Sequence, residues 1–196
     1  MDEQPVQLVK EVRVAKEDAK SGRRIYDYEY ERNGTANIFM FIEPWEGWRQ
    51  VNVTERRTAK DWAYQIRELV DIHYPEAERI HLIMDNLNTH NLGSLYKTFP
   101  PVEARRIARK LDIHYTPKHG SWLNMAEIEL AVLTNQCLDR RIPTIEKLAK
   151  ETHVWQSKRN LNKATINWKF NIQQARFKLK TTYPEILDDN DEQNKD

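Results

Sequence analysis

The stretch IHLIMDNLNTH, residues 80–90, decides the fold that we expect for this chain. It begins with a short, mostly apolar run that leads directly into Asp85 and a polar loop. Such a run is typical of a buried strand in an α/β sheet. Open α/β sheets bind their ligands just beyond the carboxyl ends of the strands. Asp85 is therefore either a ligand-binding carboxylate or an acid that forms a turn. Asn86, Asn88 and His90 are either its hydrogen-bond partners or ordinary polar loop residues.

The segments around this stretch predict a mixed sheet with helices on its faces. The predicted strands cover residues 28–32, 36–42, 48–53, 80–84 and 113–115, and residues 14–26 form a predicted loop. The predicted helices cover residues 58–73, 93–98, 102–111, 123–138, 144–162 and 172–180. Asn33-Gly34 predicts a tight hairpin between the first two strands, and Thr58 with Asp61 predicts a capping box. Antiparallel strands followed by strand–helix alternation predict an α/β fold with a mixed sheet.

Length and composition are those of a globular protein. The chain has 196 residues, of which 39% are hydrophobic and 31% are charged, and this is enough for one core without disulfides. No apolar run approaches the roughly 18 residues of a membrane span, so we expect no membrane association. The first residues carry charges where a signal peptide is apolar, and Cys137 is the single cysteine. Both features predict a cytoplasmic protein.

The charge is distributed unevenly. The net charge is +1, but residues 185–196 contain six acids and one lysine, so the rest of the chain is mildly basic. A basic body is compatible with nucleic-acid binding, although an ordinary charged surface explains it equally well. We expect residues 185–196 to form an acidic, disordered tail.

A second acidic residue of interest lies in HGSWLNMAEIEL, residues 119–130. On the predicted helix, Glu127 shares a side with mostly apolar residues, namely Leu123, Leu130, Ala131, Thr134 and Leu138. A carboxylate among such neighbours is costly unless it pairs with a cation or binds a metal. Glu129 points about 200° away around the helix. We interpret Glu129 as a surface or salt-bridging acid, and it remains the alternative metal ligand.

A third acid, Asp2, precedes a stretch of alternating apolar residues, and by itself it indicates nothing. Together, Asp2, Asp85 and Glu127 suggest one kind of chemistry. Carboxylate oxygens favour Mg²⁺ or Mn²⁺. Two such ions about 3.5–4 Å apart can stabilise both the attacking and the leaving oxygen of a phosphodiester.

Basic and aromatic residues near these acids could contact DNA. Lys118, His119 and Trp122 precede Glu127, and Arg56-Arg57 precedes the helix that begins near Thr58. Lysine and arginine bind phosphates, and tryptophan stacks on bases. The alternative is that Trp122 packs in the core and that the basic residues are simply exposed.

Six segments of the chain share their residues and their order with a known family. They are MDEQPVQLVKEVR, YERNGTANIFMFIEP, VTERRTAKDW, MDNLNTH, YTPKHGSWLNMAEIE and QCLDRRIP. Together they resemble the DDE-type transposases of bacterial insertion sequences in the mariner superfamily. The resemblance covers residues 1–184, with residues 185–196 outside it, and it implies a ribonuclease-H-like fold.

The resemblance also implies a set of metal ligands and a reaction. The family's DE dipeptide at the end of the first strand falls on Asp2, and its DN dipeptide falls on Asp85. Its LNxxE pattern, which opens a helix, falls on Leu123, Asn124 and Glu127, although 42 positions separate Asp85 from Glu127, more than is usual in the superfamily. These three acids would then bind Mg²⁺ or Mn²⁺ for DNA cleavage and strand transfer at transposon ends.

The sequence departs from the family at its start. Family members carry a helix-turn-helix region and the rest of the first strand before the first aspartate, whereas here one residue precedes Asp2. We therefore expect the first strand to be largely missing, and Asp2 to be poorly fixed. The chain would work as a homo-oligomer with full-length transposase or with an upstream DNA-binding half. The alternative is a catalytically inactive remnant that only binds DNA or transposase subunits.

Overall fold

The computed structural model describes residues 1–13, 16–18, 20–22, 24–25, 27–117, 120 and 123–179. The chain divides into two compact units, Met1–Ile166 and Asn167–Asp196. The predicted tail, residues 185–196, lies outside the described residues. The first unit contains Asp2, Asp85 and Glu127.

The strands of this unit form three sheets. They are β1 (Asp2–Glu11), β2 (Lys16–Glu17), β3 (Arg24–Ile25), β4 (Tyr30–Glu43), β5 (Trp48–Thr54), β6 (Ile80–Met84) and β7 (Leu111–Tyr115). β1, β4 and β5 form an antiparallel sheet in the order β1-β4-β5. β6 and β7 pair in parallel, and the short β2 and β3 pair within the predicted loop. The prediction of an α/β fold with antiparallel and parallel strands is confirmed.

Helices connect these strands and follow them. They are α1 (Ala59–Glu68), α2 (Leu92–Thr98), α3 (Pro101–Arg109), α4 (Met125–Leu133) and α5 (Ile145–Leu161), and the second unit contains α6 (Ile172–Leu179). π-helical turns extend α1 over Leu69–His73 and α4 over Thr134–Leu138. The predicted capping box is confirmed, because Thr58 and Asp61 bond reciprocally to each other's backbone nitrogens.

The predicted hairpin at Asn33-Gly34 is wrong. β4 runs without interruption through this pair, and the pairing register shifts there, from Gln7 opposite Thr35 to Val9 opposite Arg32. Two residues of β4 therefore face one residue of β1, which is a β-bulge. Gly34 has φ +87°, a conformation that glycine adopts without steric cost. The pair that favours a two-residue turn thus forms a bulge, because β1 supplies a partner strand on both sides of it.

The expectation that the first strand is largely missing and that Asp2 is poorly fixed is also wrong, because the chain forms a strand from Asp2 onward. Asp2 begins a ten-residue strand and lies opposite Met40 of β4. Just before it, the Met1 nitrogen donates to the Ile83 carbonyl at 2.8 Å, and the Met1 carbonyl accepts from Asn124 Nδ2 at 3.0 Å. These bonds tie the start of β1 to β6 and to the start of α4. Asp2 is therefore held in place by three separate elements.

β4 separates two hydrophobic clusters. Phe39 and Phe41 belong to the cluster that contains α1, α2, α3 and β6, whereas Ile38 and Met40 belong to the cluster that contains α4 and α5. This division follows from the two-residue period of a strand, which directs successive side chains to opposite faces. Residues 36–41 of β4 are consequently buried on both faces, whereas residues 30–35 are exposed. Among the described residues, no helix has the length and apolarity needed to cross a membrane.

The first prediction concerns the stability of this core. Trp62 is fully buried in the first cluster, whereas Trp45 is 77% exposed. We expect Trp62→Ala to lower the free energy of unfolding by about 3–5 kcal/mol, since it removes a large buried side chain and leaves a cavity. Trp45→Ala is the matched control, and it should change this free energy by less than about 0.5 kcal/mol. Urea unfolding measures both, and equal effects of the two substitutions would contradict the packing described here.

Candidate active site

Asp85 lies directly after β6, as the sequence predicts. The adjacent Met84 carbonyl accepts a hydrogen bond from the Thr116 nitrogen at 2.9 Å, so the ends of β6 and β7 are held together. The Asp85 side chain is 37% exposed, and its Oδ1 lies 2.6 Å from His90 Nδ1. One carboxylate oxygen is therefore oriented by the protein, while the side chain remains accessible from solvent.

His90 connects this carboxylate to β1. The ring is fully buried and stacks on Trp62, and its Nε2 lies 3.3 Å from Glu3 Oε2. Burial by itself lowers the pKa of His90, but the hydrogen bonds and charges of Glu3 and Asp85 outweigh it and raise the pKa above its usual value. The sequence left the role of His90 open. The structure shows that it is a hydrogen-bond partner that positions Asp85.

The pKa of Asp2 is influenced by both of the other acids, Asp85 and Glu127. Asp2 Oδ1 accepts a hydrogen bond from the Glu3 nitrogen at 2.8 Å. Burial raises the pKa of Asp2, and the negative charges of Asp85 and Glu127 raise it further, against the opposing effect of that hydrogen bond. Charges act in this way only at short range. The hydrogen bonds of Met1 with Ile83 and with Asn124 place Asp2 beside the end of β6 and the start of α4, which carry Asp85 and Glu127. Among the described residues, the three acids do not form a group whose ligand atoms all lie within 4.8 Å of one another.

Glu127 is exposed in the first turn of α4, so the helix face that the sequence predicted for it is wrong. Asn124 begins this helix, and its side chain accepts from the Ala126 nitrogen at 3.2 Å. The buried side of α4 carries Ala126, Glu129, Leu130 and Leu133. The buried face of α4 therefore includes Glu129 and not Glu127, contrary to the prediction. Glu127 faces solvent, where it is available to bind a cation.

A search against protein families connects these features to a known group. The family described as DDE superfamily endonuclease matches residues 1–149, which is most of the chain and contains all three acids. The chain belongs to this family. A search of curated proteins found no match, and neither did a search of solved structures. The antiparallel and parallel sheets and their flanking helices are consistent with the ribonuclease-H-like fold that the resemblance implied for such an endonuclease.

Glu129 of this endonuclease domain is engaged in a buried ion pair. Its side chain is 1% exposed, and its Oε1 lies 2.8 Å from Arg49 Nε. Arg159 also donates to both of its oxygens, at 2.6 and 3.1 Å. Burial lowers the pKa of Arg49, and the charge of Glu129 opposes that effect. The interpretation of Glu129 as a salt-bridging acid is confirmed, and these two arginines occupy the carboxylate that was the alternative metal ligand.

Two of the predicted DNA-contacting residues, Arg56 and Arg57, lie among the described residues. Arg56 and Arg57 are exposed, and Arg57 Nη1 lies 3.4 Å from Glu3 Oε1 at the edge of the acidic region. Lys118, His119 and Trp122 lie outside the described residues. Arg57 is therefore the one predicted DNA contact for which the structure gives a position beside the acids.

The sequence analysis assigned no contact to two residues of the site, Glu3 and Asn124. The Glu3 side chain is 3% exposed, and it lies between His90 and Arg57. Asn124 both caps α4 and holds the Met1 carbonyl. The Asn124 cap could have been inferred from its place just before the helix. The role of Glu3 could not, because its partners are distant in sequence.

The second prediction distinguishes the two glutamates of α4. Glu129→Ala leaves Arg49 and Arg159 without their shared carboxylate, and breaking a buried ion pair in this way costs about 3–5 kcal/mol. Glu127→Ala removes an exposed side chain and should change the free energy of unfolding by less than about 0.5 kcal/mol. Urea unfolding of the two variants provides the comparison. Equal stabilities would show that Glu129 is not buried between the arginines.

Proposed function

We propose that this chain is the catalytic domain of a DDE transposase, of the kind found in mariner-superfamily insertion sequences. In this proposal, residues 1–184 cleave a phosphodiester at a transposon end and join the 3′-hydroxyl formed there to target DNA. The observation that carries it is the pair of hydrogen bonds that join Met1 to Ile83 and to Asn124. They place Asp2 beside the end of β6 and the start of α4, the elements that carry Asp85 and Glu127. Asp85 and Glu127 both raise the pKa of Asp2, and a bound cation would relieve this repulsion.

The chemistry of these three acids fits a divalent metal ion. All three offer carboxylate oxygens, which Mg²⁺ and Mn²⁺ prefer. A pair of ions about 3.5–4 Å apart does not require every carboxylate to contact the same ion. This suits a region in which the acids interact without forming one compact group. When bound, the ions would supply Lewis-acid activation of the attacking oxygen and of the phosphodiester.

The residues of the chain have separate tasks in this proposal. Asp2, Asp85 and Glu127 hold the ions, and His90 fixes the orientation of Asp85 through the 2.6 Å contact. Glu3 holds the other side of His90, at 3.3 Å. Both nitrogens of the buried His90 ring have a carboxylate partner. These two contacts keep the ring in one orientation. The site thus orients Asp85 before any DNA binds.

DNA is the substrate in this proposal. Arg56 and Arg57 are exposed, and Arg57 lies beside the acidic region through its contact with Glu3; both would contact phosphates. Lys118, His119 and Trp122 precede α4 in sequence and would contribute further contacts with the backbone or bases. We also propose that the domain acts in the cytoplasm and within an oligomer of transposase chains, because one catalytic domain must be combined with recognition of the transposon ends.

The third prediction concerns metal binding by the acids. We expect Mg²⁺ and Mn²⁺ to bind the purified chain in calorimetric titrations, and we expect Asp85→Ala and Glu127→Ala to abolish that binding, because each removes an oxygen ligand. Asp139→Asn is the matched control, since it removes an exposed carboxylate that lies outside this region. Loss of binding in the control as well would show that the ions respond to overall charge, not to this site.

The fourth prediction concerns the reaction. With DNA that carries the transposon end, the chain should produce Mg²⁺- or Mn²⁺-dependent strand cleavage, and Asp85→Ala should reduce the rate by at least about 100-fold, as expected for a lost metal ligand. Full metal-dependent cleavage by Asp85→Ala would falsify the assignment of the acids. DNA binding without cleavage by the folded wild-type chain would favour the alternative of an inactive protein that only binds DNA or other transposase subunits.

A further inference from the structure

A second group of potential metal ligands lies on the solvent-facing side of the β6–β7 sheet. His81 lies opposite Asp112 in the parallel register, and His114 follows two residues later on the same side of β7. Side chains alternate along these strands. Leu82 and Met84 point into the core, whereas His81 and His114 are exposed. The group is therefore produced by strand pairing, and it is separate from Asp2, Asp85 and Glu127.

The three potential ligand atoms lie at closely similar distances from one another. His81 Nδ1 is 3.1 Å from Asp112 Oδ2 and 3.2 Å from His114 Nε2, and the latter two atoms are 3.5 Å apart. Ligands of a tetrahedral zinc ion lie about 2.0–2.2 Å from the metal, which places them about 3.3–3.6 Å from one another. One observed separation, 3.5 Å, lies in this range, and the other two, 3.1 and 3.2 Å, are slightly shorter, so small side-chain movements would give one face of such a tetrahedron. A search of the described residues for three or more His, Cys, Asp or Glu side chains with ligand atoms within 4.8 Å of one another gives this group.

The chemistry of the group favours a transition-metal ion over Mg²⁺. Two imidazole nitrogens and one carboxylate oxygen are a typical ligand set for zinc, whereas Mg²⁺ prefers oxygen ligands alone. The side chains are 66%, 38% and 53% exposed for His81, Asp112 and His114. An ion can therefore enter from solvent and keep a fourth position for water. The two imidazole rings are stacked, with centroids 5.5 Å apart, so both present a nitrogen atom at the same side of the sheet.

We propose that His81, Asp112 and His114 form a binding site for Zn²⁺ or a similar transition-metal ion, distinct from the acidic site of the endonuclease. An ion there bridges β6 to β7. Asp85 follows β6 directly, and Thr116 after β7 bonds to Met84. The bridge therefore stabilises the strand pair that supports Asp85, without contributing a ligand to the reaction.

The test is a titration of the tag-free full chain with Zn²⁺ in a calorimeter, with circular dichroism to verify folding. We expect one ion per chain in the wild type. His81→Ala and His114→Ala should each weaken binding at least about 100-fold, because loss of even an outer-shell partner of a metal ligand costs roughly 10–100-fold. His153→Ala is the matched control, as it removes another exposed histidine and should leave Zn²⁺ affinity unchanged.

Two further measurements separate this site from the acidic one. Asp85→Ala should retain Zn²⁺ binding, and Co²⁺ added in place of Zn²⁺ should give the visible absorption of a nitrogen-ligated ion in the wild type but not in His81→Ala. A Zn²⁺-dependent rise in the thermal unfolding midpoint should be lost in the same variant. No binding by the folded wild-type chain, or equal binding by wild type and His81→Ala, would overturn the proposal. So would loss of Zn²⁺ binding in Asp85→Ala with retention in His81→Ala.

Discussion

The buried ion pair between Glu129 and the two arginines Arg49 and Arg159 is the constraint on which the candidate site depends. It joins β5, α4 and α5 through the fully buried side chains of Arg49 and Glu129 and the mostly buried side chain of Arg159. Desolvating three charged groups is costly, and the cost is offset only when geometry and hydrogen bonding are good. α4 is therefore held in one rotation about its axis. Since residues two positions apart lie about 200° apart on a helix, fixing Glu129 inside directs Glu127 outward, toward the region of Asp2.

The relative positions of the other two acids, Asp2 and Asp85, depend on contacts between the β1-β4-β5 sheet and the β6-β7 sheet, which share no strand. The Met1 nitrogen bonds to the Ile83 carbonyl, and His90 lies between Asp85 and Glu3. The first contact joins β1 to β6 through their backbones, and the second joins them through a buried ring. Both hold Asp2 and Asp85 near each other on strand ends, which are more rigid supports than loops. Buried polar contacts of this kind are costly when only partly satisfied, so the site and its supports form together.

β6 illustrates how one short strand can serve two kinds of chemistry. Its inward residues, Leu82 and Met84, pack in the core, and its end leads to Asp85, which we propose as a ligand of the acidic metal site. Its outward residue His81 lies among nitrogen and oxygen atoms of β7. The two-residue period of the strand separates these environments physically. Hard and softer cations would therefore be bound by the same element at different places, without competition for ligands.

The sequence by itself determined the strand Ile80–Met84, the position of Asp85 after it, the capped helix that begins at Ala59 and the family to which the chain belongs. These features depend on local patterns and on motifs that are contiguous in sequence. The sequence did not determine the bulge at Gly34, the side of α4 on which Glu127 lies, or the role of Glu3. Gly34 forms a bulge because β1, a distant segment, pairs across it. Glu127 faces outward because Arg49 and Arg159 bind its neighbour Glu129, 80 and 30 positions away. Tertiary structure decided these points because each depends on partners that no local pattern reveals.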